Sequence, residues 1–293
     1  MDRNPSFKQT MANDSYQLFV PDHLTVPIVF ASPHSGRNYT ASFVENADLP
    51  LPLLRSSEDA FVHDLFGRVT EFGIPLLAAK APRALIDLNR DVDELDPSLI
   101  EGLNPNNTTA RVAAGLGVIP KVVANSKVIR KGKISLQDAQ DRISRYYRPY
   151  HAQLRHLLDD CRRHFGWSFL VDCHSMPTAS TDRMDGEKPD IVLGTRYGAS
   201  CTSDLVCKVE EICKKIGFNV AIDTPFAGAY SLEEYGKPAM GQHAIQIEID
   251  RSLYMDEANV QKHENYWNLR SQLTDFARLI AQIDYKDLRL AAE

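Results

Sequence analysis

Short apolar runs alternate along the chain with longer segments in which apolar residues recur at a helical spacing of about 3.6 residues. The predicted strands are 26–31, 75–79, 84–88, 168–171, 191–193, 218–222 and 244–249. The predicted helices are about 58–72, 135–165, 203–216 and 259–283. Pro149 is expected to kink or split the second of these helices. Strands that alternate with helices predict an α/β fold, a three-layer domain whose mostly parallel mixed sheet is covered on both faces.

The segment 91–133 differs from the rest of the chain because it is rich in Asn, Asp, Gly and Pro, as in DVDELDPSLIEGLNPNNTT. We interpret it as a long excursion over the surface, and long loops of this kind are commonly functional. No linker suggests a division into two domains. We therefore expect residues 1–20 to be an N-terminal extension and residues 21–293 to form a single domain that carries the excursion at about 91–133.

The composition is that of an ordinary globular protein: 293 residues, 43% of them apolar, with a formal net charge of −6. This acidic balance disfavours a nucleic-acid partner, which needs a basic face. No apolar run reaches the roughly 18 residues of a transmembrane helix, and the polar N-terminus lacks the apolar segment of a secretory signal. The five cysteines form no CxxC pair. We expect reduced cysteines, a cytoplasmic location and no membrane partner, and we leave open a homo-oligomer.

Residues that bind metals, move protons or hold carboxylates accompany four of the apolar runs. His34 follows the first run, Asn89 and Arg90 follow 84–88, His174 follows 168–171, and Glu248 lies inside 244–249. In α/β sheets, ligands bind at the carboxyl ends of the strands. The convergence therefore predicts one functional site at a sheet edge.

His34 and His174 are the candidate metal ligands. Neutral imidazole binds Zn²⁺ well, and catalytic zinc sites use three protein ligands and a water. We expect a carboxylate as the third ligand and choose Asp59, with Glu58 as the alternate. Both acids begin the predicted helix 58–72, where an acid also complements the helix dipole. For each histidine the alternative is a structural, hydrogen-bonded side chain.

Glu248 and Arg90 are the candidates for proton transfer and carboxylate binding. A carboxylate among apolar neighbours is rare unless it is paired or used chemically, and a raised pKa would suit a general base. The alternative for Glu248 is a salt bridge with Arg251. Arginine holds a carboxylate through two parallel hydrogen bonds, and the alternative for Arg90 is an ion pair with Asp87, Asp91 or Asp93. Further cations, each expected to be structural when considered alone, are Arg83, Arg111 and Arg196.

Taken in order, the motifs of this chain resemble those of the N-formylglutamate amidohydrolase family over about residues 26–257. The motifs are ASPHSGRNY, EDAFVHDLF, APRALIDLNRD, VDCHS, DIVLGTRYGASC, TPFAGAYSLEEYGKP and HAIQIEIDRSLYMDE. This family is related in fold to zinc carboxypeptidases and aspartoacylases, so the resemblance implies a phosphorylase/hydrolase-like fold. It also implies that His34, His174 and an acid hold Zn²⁺ and that Glu248 is the base. The substrate would be bound by Asn89, Arg90 and Arg196.

One position departs from the carboxypeptidase pattern. That pattern places its acidic ligand three residues after the first histidine, as H-x-x-E, and Arg37 occupies this position here. The acidic ligand must then come from elsewhere in the chain, and Asp59, at the start of the predicted helix, is the residue chosen for it.

The resemblance implies a metal-dependent hydrolysis of the formamide bond of N-formyl-L-glutamate to formate and L-glutamate, within histidine degradation. The expected substrate class is a small anionic N-acyl amino acid, bound in a pocket that is locally cationic although the whole chain is acidic. Two alternatives remain. One is a related zinc hydrolase that acts on another N-acyl amino acid or a small peptide. The other is a non-catalytic binding module that retains the fold.

Overall fold

A mixed sheet of eight strands runs through the protein in the order β1-β2-β4-β3-β7-β10-β8-β9. The structure is a computed structural model that describes residues 9–10, 13–104, 108–182 and 187–283. Its strands are β1 (Gln9–Thr10), β2 (Tyr16–Phe19), β3 (Ile28–Ser32), β4 (Leu76–Ala79), β5 (Val122–Val123), β6 (Lys127–Val128), β7 (Ser168–Met176), β8 (Ile191–Gly194), β9 (Val220–Ile222), β10 (Gln242–Asp250), β11 (Met255–Asp256) and β12 (Gln261–Lys262). Two small antiparallel pairs, β5 with β6 and β11 with β12, lie outside this sheet.

The four central strands of the sheet, β4, β3, β7 and β10, are parallel to one another. On one side β2 is antiparallel to β4, and on the other side β8 is antiparallel to β10. The mixed sheet predicted from the sequence is therefore confirmed. Parallel neighbours bring the carboxyl ends of β3, β7 and β10 to one edge, where the site lies.

Helices cover both faces of the sheet. They are α1 (Ala41–Glu45), α2 (Leu51–Leu54), α3 (Val62–Leu65), α4 (Ala110–Ala113), α5 (Leu136–Arg142), α6 (Arg148–Phe165), α7 (Ser203–Ile216), α8 (Tyr230–Tyr235) and α9 (Tyr266–Ile280). Side chains alternate across each strand. Phe30 of β3 packs into the apolar cluster that contains residues of α7 and α9, while Val29 packs into the cluster that contains residues of α6. The protein thus has the three-layer α/β architecture expected from the sequence.

The prediction of a strand at 84–88 is wrong. This segment forms turns in which the N–H groups of Leu85 and Ile86 both donate to the carbonyl of Pro82. The N–H of Asp87 donates to the carbonyl of Val118, in the excursion, rather than to a neighbouring strand. The apolar run reflects burial beneath the excursion. Asn89 and Arg90 therefore follow a turn, although they still reach the edge of the sheet.

Three predicted helices differ in detail from those observed. The segment 58–72 holds α3 and a 3₁₀ turn (Val69–Phe72), and the last predicted helix begins at Tyr266 rather than near residue 259. Between α5 and α6 the backbone forms a π-helical turn (Ile143–Tyr147), and Pro149 lies in the first turn of α6. Proline has no N–H to donate to the preceding turn, and the change of helix type occurs just before it instead of a break.

The segment assigned to an N-terminal extension and the excursion contribute differently to the fold. Strand β2, which lies within the segment assigned to an N-terminal extension, is part of the main sheet. The excursion contains only short elements among its described residues, α4, β5 and β6.

None of the helices in the described part of the chain combines the length and apolar character that a membrane crossing requires.

Candidate active site and metal centre

A cavity of about 570 Å³ opens at the carboxyl edge of the central strands. His34 lies just beyond β3, His174 lies near the end of β7, and Glu248 of β10 is paired in register with His174. Gly36 allows the loop after β3 to approach the backbone beyond β4, because a Cβ atom there would lie 2.0 Å from the carbonyl oxygen of Ala81. Parallel pairing and this close loop packing bring side chains from distant parts of the sequence together.

His34, Asp59 and His174 form a buried cluster with the composition of a metal site. One ligand atom from each residue lies within 4.8 Å of the other two. Asp59 Oδ2 is 2.9 Å from His174 Nδ1 and 3.4 Å from His34 Nδ1. The backbone N–H of Asp59 donates to the carbonyl of His34 at 3.0 Å, which holds this acid beside the imidazoles.

Two further aspartates orient the imidazoles from behind. His34 Nε2 is 2.7 Å from Asp87 Oδ1, and His174 Nε2 is 2.9 Å from Asp172 Oδ2. A carboxylate accepts hydrogen bonds, so each Nε2 carries a proton. His34 Nδ1 directs its lone pair at the cluster, whereas His174 Nδ1 also lies 2.9 Å from Asp59 Oδ2, where a proton or a cation can join the two atoms. Carboxylates commonly fix metal-binding histidines in this way.

The residues present fit a divalent cation. His34 Nδ1 is buried and makes no hydrogen bond among the described residues, and a buried polar atom without a partner is costly. Two imidazole nitrogens and one carboxylate oxygen are the donor set of a catalytic zinc site with an open fourth position. The cluster therefore has the chemistry that the sequence suggested, with a buried donor that needs a partner.

The alternate acid, Glu58, points away from the cluster. Its two carboxylate oxygens accept from Nε and Nη2 of Arg55, at 3.0 and 3.2 Å. Arg251 stabilises the backbone at these two acids by donating to the Glu58 carbonyl and to Asp59 Oδ1. The structure thus places Asp59, and not Glu58, beside the histidines.

The charges in the cluster depend on one another. Burial opposes ionisation of Asp59, but its hydrogen bond with His174 and the charges of His174 and His34 hold its pKa well below the usual range. Burial likewise opposes protonation of His174, yet the charge of Asp172 and its hydrogen bond raise the pKa of His174 well above normal. Such a cluster favours a bound positive charge, and a metal competes with protons for these lone pairs.

Glu248 enters the cavity from β10 with 8% of the residue exposed. Gln246 Nε2 donates to its Oε1 at 2.8 Å. Burial raises the pKa of Glu248 to about 7, a value suited to proton exchange near neutral pH. The salt bridge considered with Arg251 does not form, because Arg251 pairs with Asp59 and Glu257 within the described structure.

Asn89 and Arg90 lie on the wall of the same cavity. Asn89 Nδ2 donates to Asp172 Oδ2 at 3.1 Å, and its Oδ1 accepts from the N–H of Ser231. Arg90 donates from Nε to the Leu116 carbonyl and from Nη1 to the Asn89 carbonyl. The ion pair considered with Asp87 is long, at 3.9 Å, so Arg90 keeps donor capacity for a ligand.

The structure does not bring Arg196 into the cavity lining. Its backbone has a left-handed φ of 51°, and its guanidinium pairs with Glu233 at 3.2 Å. Its N–H donates to the Ala227 carbonyl, and Ala227 does line the cavity. In this arrangement the backbone of Arg196 supports a wall of the cavity, and its side chain pairs with Glu233.

Comparison with known proteins places the chain in a family. The model of the family described as "N-formylglutamate amidohydrolase" matches residues 26–255. The chain belongs to this family.

Individual members show the same relationship. The chain is 31% identical over 238 residues to the N-formylglutamate deformylase of Pseudomonas putida, covering 79% of this chain and 83% of that protein. The crystal structure of N-formylglutamate amidohydrolase from Ralstonia eutropha JMP134 aligns with a TM-score of 0.86 at 34% identity, covering 95% of this chain and 99% of that one. An Agrobacterium tumefaciens gene product with a TM-score of 0.64 and 12% identity shares the fold, covering 92% and 96% of the two chains. As a member of this amidohydrolase family, the chain is a hydrolase of amide bonds, as the sequence predicted.

Sequence reasoning missed two carboxylates and gave no role to an arginine of this amidohydrolase site. Asp172 and Asp87 orient the histidines, and Arg83 donates to Asp87 Oδ2 at 3.0 Å while lining the cavity. A signal for Asp172 was present, since residues two apart on a strand share a face and Asp172 precedes His174 by two. No comparable signal existed for Asp87, because its segment is not a strand.

Proposed function

We propose that this protein hydrolyses the formamide bond of N-formyl-L-glutamate to formate and L-glutamate and depends on a divalent cation, with Zn²⁺ as the expected ion. The observation that supports this most directly is the buried cluster of His34, Asp59 and His174, in which two imidazole Nδ1 atoms face one carboxylate oxygen. The names of the relatives supply the substrate.

In this proposal His34, Asp59 and His174 hold the cation. A divalent cation bound there polarises a carbonyl and lowers the pKa of a bound water toward neutrality. Asp87 and Asp172 accept from the Nε2–H groups and so orient both Nδ1 atoms toward the position of the cation. The protein thereby supplies a donor set already oriented before the cation or substrate arrives.

Glu248 is the proposed proton carrier. Its carboxylate accepts a proton from the water that attacks the formyl carbon, and the carboxylic acid then donates that proton to the leaving nitrogen. The C–O bond to the water oxygen forms first, and the C–N bond breaks once the nitrogen takes the proton, so water and amide are converted into formate and amine. A carboxyl group whose pKa is about 7 exchanges protons in both directions near neutrality.

Arginines and Asn89 orient the substrate in this proposal. Arg90 binds a carboxylate of the N-acyl amino acid, and Asn89 fixes the wall beside it. Arg83, held by Asp87, stabilises negative charge on the formyl oxygen in the transition state. Arg196 was assigned to substrate binding from the sequence, and we now assign it to the support of the loop that contains Ala227.

Metal analysis combined with a formate-release assay tests the proposal. The purified protein should contain about one divalent metal per chain, release formate from N-formyl-L-glutamate and lose both properties in the Asp59→Asn variant. Glu58→Asn is the matched control, because its carboxylate contacts Arg55 instead of the cluster. A protein that binds no divalent metal, or that binds one and releases no formate, would overturn the proposal.

A substrate panel decides between the proposal and its alternatives. N-formyl, N-acetyl and N-succinyl amino acids separate deformylation of glutamate from hydrolysis of another N-acyl amino acid. Ligand binding without turnover of any member of the panel would identify a non-catalytic module.

Four further expectations stay predictions. They are a role in histidine degradation, a cytoplasmic location, a homo-oligomer and the single domain 21–293.

A further inference from the structure

The cavity contains an arginine to which the proposed function gives no role. Arg111 of α4 lines the cavity together with Arg83 and Arg90. It belongs to the excursion, and hydrogen bonds through the backbone of Leu116 connect it to Arg90. Arg90 Nε donates to the Leu116 carbonyl, and the Leu116 N–H donates to the Arg111 carbonyl, each at 3.0 Å. The excursion thus ties the backbone at Arg111 to the Arg90 side chain, and both arginines line the same cavity.

Hydrogen bonds fasten this part of the excursion to the site. Thr109 caps α4 by accepting from the N–H of Val112 at 3.2 Å. The Val118 N–H donates to the Glu94 carbonyl at 2.9 Å, and the Asp87 N–H donates to the Val118 carbonyl at 2.8 Å. A loop anchored to Asp87 holds its side chains in a defined relation to the cluster, since Asp87 also contacts His34.

Arg111 keeps donor capacity for a ligand. Its Nη1 contacts the Glu94 carboxylate at 3.3 and 3.4 Å, while its Nε and Nη2 have no partner within the described parts of the chain. Its side chain is 46% exposed, against 11% for Arg90. After burial, the charges of Arg83 and Arg111 are the causes that lower the pKa of Arg90, although Asp87 opposes them. An anion between these guanidiniums would relieve their repulsion.

We propose that Arg111 binds the side-chain carboxylate of a dicarboxylic N-acyl amino acid while Arg90 binds its α-carboxylate. This inference rests on the proposed function. The scissile carbonyl must lie at the His34 cluster, and the α-carboxylate lies close to it, within reach of the Asn89–Arg90 wall. The side-chain carboxylate of such a substrate is farther from the scissile carbonyl than the α-carboxylate is, and we assign it to Arg111, the arginine that the excursion contributes to the cavity. The site therefore selects substrates with two carboxylates, as in N-formyl-L-glutamate.

Paired substrates test this assignment in the full-length protein. N-formyl-L-glutamine has nearly the same shape as N-formyl-L-glutamate but no side-chain charge. In Arg111→Gln, kcat/KM for N-formyl-L-glutamate should fall about 10- to 100-fold, the value of a hydrogen bond to a charged group. The value for N-formyl-L-glutamine should change little. Arg111→Lys, which keeps the charge, should recover part of the selectivity.

Arg130→Gln is the matched control, because Arg130 also lies on the excursion but lines a separate cavity. Its ratio of the two kcat/KM values should equal that of the wild type. An unchanged ratio in Arg111→Gln, or an equal loss on both substrates, would overturn the inference while leaving deformylation itself intact.

A binding measurement separates this inference from the proposed function. Calorimetric titration of the wild type with L-glutamate and L-glutamine needs no turnover. The wild type should prefer L-glutamate, and Arg111→Gln should lose that preference. If neither formyl substrate is hydrolysed, the proposed function fails, whereas a preference for L-glutamate that depends on Arg111 would still support the subsite. A wild type that shows no preference for L-glutamate would overturn the subsite.

Discussion

Single side chains in this protein have properties set by the groups placed around them. Glu248 lies among apolar residues of β10, and burial raises its pKa to about 7. An aspartate or glutamate on the surface would be ionised at that pH. Glu248 can therefore take up and release a proton near neutral pH, unlike a surface glutamate, because its strand is buried on both faces.

Replacing Glu248 with Gln is expected to lower kcat by roughly 10²- to 10⁴-fold, the usual contribution of a general base. The amide keeps the size of the side chain and cannot accept the proton, so metal content and folding should be unchanged. Formate release and metal analysis of the same preparation measure both effects. Glu211→Gln, at an exposed position of α7, should retain wild-type turnover. Near-normal turnover in Glu248→Gln would show that another group is the base.

Asp172 is expected to act on the metal through His174. In Asp172→Asn the carboxylate no longer fixes the Nε2–H tautomer, and the affinity for Zn²⁺ should fall about 10- to 100-fold. Competition with a chromogenic chelator measures this affinity without any turnover. Ser175→Ala is the control, because Ser175 contacts Arg251 and Tyr254 rather than an imidazole. Equal affinities for the wild type and Asp172→Asn would contradict the role assigned to the carboxylate.

At the scale of elements, a helix holds the backbone that follows the segment 84–88, which forms turns and not the predicted strand. His151 Nε2 is 3.0 Å from the Leu88 carbonyl, and the Tyr147 hydroxyl donates to the Arg90 carbonyl at 2.9 Å. Both residues belong to the continuous helical segment formed by the π turn and α6. π-helical turns occur frequently at functional sites. This one carries Tyr147, which holds the segment that contains Asn89.

Tyr147→Phe is therefore expected to raise KM by up to about tenfold, the value of roughly one hydrogen bond, with little change in kcat. Tyr150→Phe is a close control, because Tyr150 is fully buried one turn away and its hydroxyl has no hydrogen-bond partner among described residues. Steady-state kinetics on both variants would measure the difference. Parallel changes in the two variants would indicate a general packing effect instead.

At the scale of the whole molecule, one sheet supports two apolar clusters. Phe276 of α9 belongs to the cluster on one face, and Leu154 of α6 belongs to the cluster on the other. Strands β3 and β7 contribute side chains to both clusters, so a loss of packing on one face weakens strands on which the other face also depends. This arrangement supports the proposal of a single folding domain.

Phe276→Ala and Leu154→Ala should accordingly each shift one common unfolding transition. Each truncation of a buried side chain is expected to cost about 2–5 kcal/mol. Calorimetry should show one heat absorption peak in the wild type and in both variants, moved to lower temperature in the variants. A second peak that only one substitution moves would indicate two independently unfolding units.

The sequence by itself determined the fold class and most of the strands that position the site. A buried strand appears in the sequence as a short run of apolar residues, so such runs identify β3, β7 and β10. His34, His174 and Glu248 were recognisable because they interrupt or follow those runs. The order of the motifs also indicated the amidohydrolase family, which the comparison confirmed.

Only the tertiary structure decided which acid meets the histidines, which aspartates orient them and which arginine of the excursion reaches the cavity. Asp59 and Glu58 are neighbours in sequence, and the hydrogen bond from the Asp59 N–H to the His34 carbonyl separates their roles. Asp87 and Arg111 reach the site through bonds to Val118 and Leu116. Such contacts join residues far apart in the chain and leave no periodic trace in it, so local patterns cannot reveal them.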